Sequence, residues 1–163
     1  MSRLVVGVMG PGESASKEAI AAAFELGRLI ALEEWVLLTG GRNVGVMDAA
    51  CRGAKTAGGL TVGILPGEDS HGVSEAVDIP ILTGMGQARN NINVLSSRVM
   101  FACGMGAGTA SEIALALKAG KKVILLDCSQ EAIAFFESLM EENVHVVSHP
   151  GDAIRIAKNL LEV

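Results

Sequence analysis

The stretch FACGMGAGTASEIALAL, residues 101–117, carries the pattern on which the fold assignment rests. An apolar run ends at Cys103, and glycine then occupies positions 104, 106 and 108. The residues that follow place apolar side chains at helical spacing. A buried strand, a glycine-rich turn and a helix in this order are typical of a βα unit, and the glycines leave the backbone of the turn bare for a close contact.

The same alternation extends over the rest of the chain. Short β-branched runs predict strands at residues 4–8, 35–38, 60–65, 77–82, 99–103, 122–126 and 144–147. Apolar residues at helical spacing predict helices at residues 14–32, 44–57, 87–97, 111–119, 130–140 and 152–161. The strands are continuous apolar runs, as in sheets covered on both faces. We therefore predict an α/β fold in which residues 1–163 form a single Rossmann-like, doubly wound domain with a mainly parallel sheet.

Composition and charge narrow the classes of function. The net charge is −5 and the 13 Lys and Arg residues are scattered, which argues against nucleic acid because phosphate backbones require clustered basic side chains. The three cysteines lie far apart and the three histidines show no metal-ligand spacing, so we predict reduced thiols and no metal site. No apolar run approaches the roughly 18 residues of a membrane span. We expect a soluble, cytoplasmic protein that does not bind a membrane.

Three predicted strands end in glycine-rich loops. Because parallel strands of such a fold present their carboxyl ends at one edge, where ligands bind, these loops are expected to converge. A helix N-terminus with bare backbone N–H groups is suited to an anion such as a phosphate. The candidate binding residues in the loops are Gly10, Pro11, Gly12, Thr39, Gly40, Gly41, Arg42, Gly104, Met105, Gly106, Ala107, Gly108, Thr109 and Ala110.

Two common nucleotide-binding motifs are absent from the sequence. The first loop is not G-x-G-x-x-G, because position 15 is Ala. A dinucleotide-binding protein also requires an acidic residue after its second strand, where this chain has Thr39, Gly40 and Gly41. No Gly-Lys-Ser or Gly-Lys-Thr occurs, which argues against a Walker A loop.

Three polar residues outside these loops are further candidates. Arg89 lies early in a predicted helix, where a basic residue opposes the helix dipole, so it is either an anion contact or a solvated side chain. Asn90, beside it, is either a hydrogen-bonding partner of a heterocycle or a helix cap. Glu112 is either part of the site or the acidic member of a capping box with Thr109.

Two of these segments resemble the LOG-like superfamily, also known as possible lysine decarboxylases. TGGRNVGVMDAACRGA, residues 39–54, is similar to its G-G-x-x-G-x-M segment, and GMGAGTASE, residues 104–112, is similar to its P-G-G-x-G-T-x-x-E signature. In the hydrolase branch, this resemblance implies cleavage of nucleoside 5'-monophosphates with Arg89 and Glu112 in catalysis. The chain departs from that signature at Gly104 and Met105, which stand where the hydrolases have Pro and Gly.

A resemblance to the molybdenum cofactor carrier proteins covers essentially the whole chain. It is carried by VVGVMGPG (5–12), WVLLTGGRNVGVMDAA (35–50), VDIPILTGMGQARNNIN (77–93) and CGMGAGTASEIALALKAGKKVILL (103–126). This resemblance implies a homotetramer that binds the molybdenum cofactor without transforming it and passes it to molybdoenzymes such as nitrate reductase. We therefore expect a non-catalytic carrier, and a phosphoribohydrolase of the LOG type is the alternative.

Overall fold

A single continuous sheet of parallel strands forms the centre of the computed structural model, which describes residues 3–163. Within that range the strands are β1 (Val5–Met9), β2 (Val36–Thr39), β3 (Thr61–Leu65), β4 (Ile79–Leu82), β5 (Met100–Cys103), β6 (Val123–Leu126) and β7 (Val144–Val146). Their order across the sheet is β4-β3-β2-β1-β5-β6-β7, and each neighbouring pair is parallel. The predicted doubly wound α/β fold is confirmed.

Helices cover both faces of this sheet. They are α1 (Lys17–Leu32), α2 (Gly45–Thr56), α3 (Asn90–Ser96), α4 (Ala107–Lys118), α5 (Gln130–Met140) and α6 (Pro150–Leu161), and short 3-10 turns span Gly86–Arg89 and Glu141–Asn143. Among residues 3–163, none of the helices combines the length and the apolar character needed to cross a membrane.

The apolar core is divided into two layers by the sheet. Helices α1, α2 and α6 pack on one face and α3, α4 and α5 on the other. Successive strand residues alternate between the layers, so that Leu37 belongs to the first cluster and Leu38 to the second. The four central strands β1, β2, β5 and β6 are covered on both faces and contain few polar side chains, as their apolar sequences predict, whereas the residues of the edge strand β4 are exposed.

Three predicted helices differ from the structure by more than two residues or in how they are divided. Helix α1 begins at Lys17 rather than at residue 14, because the Ser16 side chain caps it by accepting a hydrogen bond from the Ala19 N–H at 2.9 Å. The predicted helix at residues 87–97 divides into the 3-10 turn and α3. Helix α4 begins at Ala107, four residues before the predicted start, so part of the glycine run lies in its first turn.

Helices α1 and α2 cross at a distance that only glycine permits. A Cβ atom added at Gly53 would lie 1.8 Å from the carbonyl oxygen of Phe24, and one at Gly27 would lie 2.0 Å from that of Ala50. Neither separation is sterically possible, and in both cases the obstructing atom is backbone. The two glycines therefore fix the distance between the helices that cover β1 and β2.

We predict that Gly53→Ala destabilises the protein by about 2–3 kcal/mol, because the two helices must separate to admit the methyl group. The matched control is Gly151→Ala, at a helical glycine where an added Cβ has no atom within 4 Å. That control should be neutral or stabilising by about 0.5 kcal/mol. Urea unfolding of both variants measures the difference, and equal stabilities would show that the crossing is not sterically limited.

Candidate functional site

The strand order reverses between β1 and β5, and a cavity of about 210 Å³ opens at the carboxyl ends of the strands there. Open α/β sheets bind ligands at such a reversal, since the loops of the two central strands diverge. The three predicted glycine-rich loops meet at this cavity. Its lining residues are Met9, Gly10, Pro11, Gly12, Ser14, Gly40, Arg42, Met47, Gln87, Arg89, Asn90, Gly106, Ala107, Gly108, Thr109 and Glu112.

The first turn of α4 forms one wall with exposed backbone. Gly106 is the N-cap residue in extended conformation, and no side chain caps the helix. Ala107 and Gly108 are exposed, and a Cβ atom added at Gly108 would have no atom within 4 Å. The first N–H groups of a helix have no partner within it, so this turn offers donors at the positive end of the helix dipole.

Arg89 brings a buried positive charge to the opposite wall. The residue is only 9% exposed, and its Nη1 donates a hydrogen bond to the Asn90 side-chain oxygen. Burial lowers the pKa of the guanidinium, and Arg42 lowers it further, against the opposing effect of Glu112. The guanidinium lies so close to Gly40 that a Cβ atom there would be 2.9 Å from Nη2. Glycine at position 40 therefore makes room for the arginine.

Two buried polar atoms of the cavity have no partner among residues 3–163. They are Nε of Arg89 and Oγ1 of Thr109, and Thr109 is only 3% exposed. An unsatisfied buried donor costs about 1–3 kcal/mol, more when charged, so such groups are rare unless a ligand or water completes them. Both residues line the same cavity. Both groups therefore offer hydrogen-bonding capacity to a molecule that enters the cavity.

Glu112 lies in the cavity wall one turn into α4. It is 6% exposed, and its Oε1 accepts a hydrogen bond of 2.8 Å from Asn93 Nδ2 on α3. Of the two alternatives for Glu112, the capping box with Thr109 is excluded, because α4 begins at Ala107 and Gly106 occupies the N-cap. Burial raises the pKa of Glu112 to about 7, although the Asn93 bond and the charge of Arg89 act in the other direction. No ion pair to Glu112 exists within the described range.

The rim of the cavity includes a solvent-exposed ion pair. Arg42 forms an ion pair of 2.9 Å with Glu13, and because the two side chains are 42% and 73% exposed, the pair contributes little to stability. Asn90 donates from Nδ2 to Ser111 Oγ at 3.0 Å, which ties α3 to α4.

Within residues 3–163, no cluster of three or more His, Cys, Asp or Glu side chains is suited to hold a metal ion.

Five of the predicted site residues lie outside the cavity lining. Thr39 is buried, where its hydroxyl accepts from the Gly41 N–H at 3.0 Å and lies 3.4 Å from Cys51 Sγ. Gly41 and Gly104 have positive φ angles of 76° and 75° and shape the turns behind the cavity. Met105 and Ala110 pack against the apolar cluster beneath α4.

Four lining residues were not singled out in the sequence as candidates: Met9, Ser14, Met47 and Gln87. Three of them lie within two residues of a predicted one, since Met9 precedes Gly10, Ser14 follows Gly12 by two residues, and Gln87 precedes Arg89 by two. Met47 lies on α2 and reaches the site through the packing of its sulfur over Gly40. A Cβ atom added at Gly40 would lie 2.7 Å from that sulfur.

Comparison with proteins of known structure shows close whole-chain similarity. The molybdenum cofactor binding protein of the phototrophic bacterium Rippkaea orientalis is 55% identical, with 99% of each chain covered and a TM-score of 0.97. The Moco carrier protein of Chlamydomonas reinhardtii is 53% identical, with 99% of each chain covered and a TM-score of 0.94. The resemblance to the molybdenum cofactor carrier proteins is thereby confirmed.

Sequence comparisons agree with this result. An uncharacterized protein of Archaeoglobus fulgidus is 46% identical over 126 residues, which is 77% of this chain and 82% of that protein. The model of the SLOG cluster4 family matches residues 3–154. The match spans the sheet, both helical layers and every loop of the cavity, and the chain therefore belongs to the SLOG cluster4 family.

Proposed function

We propose that this protein binds the molybdenum cofactor at the switch-point cavity and carries it, without transforming it, to molybdoenzymes. The main support for this proposal is structural similarity. A molybdenum cofactor binding protein matches 99% of the chain with a TM-score of 0.97. A similar match to a Moco carrier protein at 53% identity supports it. We further propose that the carrier is a cytoplasmic homotetramer and that a nitrate reductase is one recipient.

The chemistry of the cavity fits an anionic cargo. The molybdenum cofactor carries a terminal phosphate and metal-bound oxo groups, so its ends are negative and rich in acceptors. The α4 N-terminus and the Arg89 guanidinium offer donors and positive charge to such a group. The unpartnered Arg89 Nε and Thr109 Oγ1 provide two further positions for hydrogen bonds.

The size of the cavity indicates that only part of the cargo enters it. Its volume of about 210 Å³ lies below the several hundred Å³ typical of sites that enclose a drug-sized ligand. We propose that one charged end is held between α4 and Arg89 while the pterin lies over the rim near Arg42. Because the dithiolene sulfurs of the cofactor anchor its own metal, no protein side chain is needed as a molybdenum ligand.

A nucleoside 5'-monophosphate phosphoribohydrolase is the alternative, and one observation favours it. Arg89 and Glu112, the two residues that match the catalytic pair of the hydrolase branch, both line the cavity. Against it stand the carrier and binding proteins that match at 52–55% identity. The departure at Gly104 and Met105 from the hydrolase signature also favours carriage.

A paired assay on one preparation distinguishes these functions. One part is incubated with AMP and with a cytokinin riboside monophosphate, and the release of free base is followed. The other part is mixed with the molybdenum cofactor without oxygen, passed over a desalting column and tested for reactivation of cofactor-free nitrate reductase. We expect retained, transferable cofactor and no free base. Release of base with enzymatic turnover, without retained cofactor, would establish the hydrolase instead.

Gly108→Leu should abolish most of the cofactor retention, because its side chain would project into the open space beside the α4 N-terminus. No protein atom lies within 4 Å of the new Cβ, so the fold has room for it. The control is Gly151→Leu, at the second position of α6, where an added Cβ is equally unhindered. Both variants should unfold at similar temperatures, and equal cofactor retention would place the binding site elsewhere.

Arg89→Met should weaken cofactor binding about 10–100-fold, the value of one or two charge-assisted hydrogen bonds. The ligand-free variant should be no less stable than the parent, because a buried cation without a paired carboxylate is replaced by an apolar side chain of similar length. Arg42→Met, on the exposed rim, is the control and should weaken binding less. Binding titrations and thermal unfolding test both expectations, and a destabilised variant with intact affinity would make Arg89 structural.

A further inference from the structure

We propose that loading of the cargo is coupled to uptake of one proton by Glu112, so that this carboxyl group regulates affinity as the pH changes. The inference rests on the proposed function, since it concerns an anion bound in the same cavity. The proton comes from solvent when the anion enters and returns to solvent when the anion leaves.

Glu112 lies beside the donors that the cavity offers to an anion. Its carboxyl group lines the cavity together with Arg89 and the first turn of α4, and it is 94% buried, since only 6% of the residue is exposed. An anion held at the α4 N-terminus therefore lies beside a carboxyl group with little water between them. Two like charges in such a site are strongly disfavoured, so one of them is neutralised by a proton.

The charges that face Glu112 do not fix it as a carboxylate. Arg89, from the 3-10 turn before α3, acts on it through space but makes no ion pair with it within residues 3–163. Arg42, from the loop after β2, is paired with Glu13. Asn93 on α3 donates one hydrogen bond, and Thr109 is the polar neighbour one turn earlier on α4. The protonated carboxyl can donate to an anion that the carboxylate would repel.

The pKa of Glu112, raised by burial to about 7, places this change near neutral pH. A bound anion raises the pKa further, so affinity is highest at low pH and falls as pH rises between the free and bound pKa values. The cysteine thiols and His145 titrate outside this range. The thiols of Cys51 and Cys128 have pKa values of about 11 and that of Cys103 about 12, all raised by burial, and the pKa of His145 is lowered by burial.

A measurement without ligand tests the buried acid by itself. Because the folded-state pKa of Glu112 lies above its unfolded value, the folded state binds more protons and loses stability as pH rises from about 4.5 to 7. Glu112→Gln keeps an oxygen for the Asn93 bond and removes this titration. The unfolding temperature of the variant relative to the parent should therefore increase across that range and stay constant above it. A difference in unfolding temperature between variant and parent that stays constant from pH 4.5 to 8 would contradict a raised pKa of Glu112.

The binding test uses the molybdenum cofactor itself, titrated without oxygen between pH 7 and 9, above the second phosphate pKa of about 6. We expect the parent protein to lose about tenfold or more in affinity over this range. Glu112→Gln should bind with an affinity that changes little over this range, so that the ratio of parent affinity to variant affinity falls as the pH rises. Calorimetry at pH 7.5 in buffers of different ionisation enthalpy should detect uptake of a proton by the parent and none by the variant.

The Asn93→Ala variant tests whether Glu112 acts through its titration. The readout is the pH at which cofactor affinity falls, which a purely structural role of Glu112 would not change. Loss of its hydrogen bond to the ionised carboxyl raises the pKa of Glu112, so the fall in affinity should move to higher pH. Cofactor binding by the parent that is independent of pH, without proton uptake, would overturn the coupling and leave the carrier intact. Absence of cofactor binding at every pH would overturn the proposed function as well.

Discussion

A buried cation that lies against a bare backbone is the constraint on which this site depends. The Arg89 guanidinium packs against Gly40 at the end of β2, in a space that any other residue at position 40 would fill. Burial of a charge is unfavourable unless a partner compensates for it, and the neighbouring Asn90 supplies only a neutral oxygen. The fold therefore stabilises the cavity through its two apolar layers, and the proposed anionic cargo would compensate for the charge of Arg89.

The crossing of α1 and α2 holds the other side of the cavity in place. Gly27 and Gly53 set the separation of the two helices, and α2 then starts directly over the first glycine-rich loop. The Val46 N–H donates to the carbonyl oxygen of Pro11 at 3.1 Å, which fixes that loop against the start of α2. Close helix packing is thus connected, through one backbone hydrogen bond, to the shape of the cavity.

The sequence predicts the fold well because each strand and helix has a strong local pattern. The apolar run at residues 99–103 and the helical spacing after it require no tertiary information, and the shared strand edge brings the three loops together. Glycines are harder to interpret. Gly108 and Gly104 look alike in sequence, but one leaves open space in the cavity and the other shapes a turn behind it with a positive φ.

Contacts between side chains of different helices and strands could not be predicted from the sequence. The spacing of Thr109 and Glu112 fits a capping box, yet the helix starts earlier, and the true partner of Glu112 is Asn93 on a separate helix. Met47 likewise reaches the cavity only through the packing of α2 beside β2. Such contacts depend on the placement of whole elements, to which local periodicity is insensitive.

Carriage and hydrolysis place different demands on the carboxyl group of Glu112. A hydrolase that stabilises an oxocarbenium ion requires its carboxylate ionised and aimed at the sugar. Glu112 instead has a pKa of about 7 and directs an oxygen at Asn93, so neutral pH does not hold it fully ionised. A carrier must also release what it binds. A carboxyl group that repels the anion once it ionises, beside a cavity too small to enclose the whole cargo, gives the proposed carrier a means of release that a site built only for tight binding would lack.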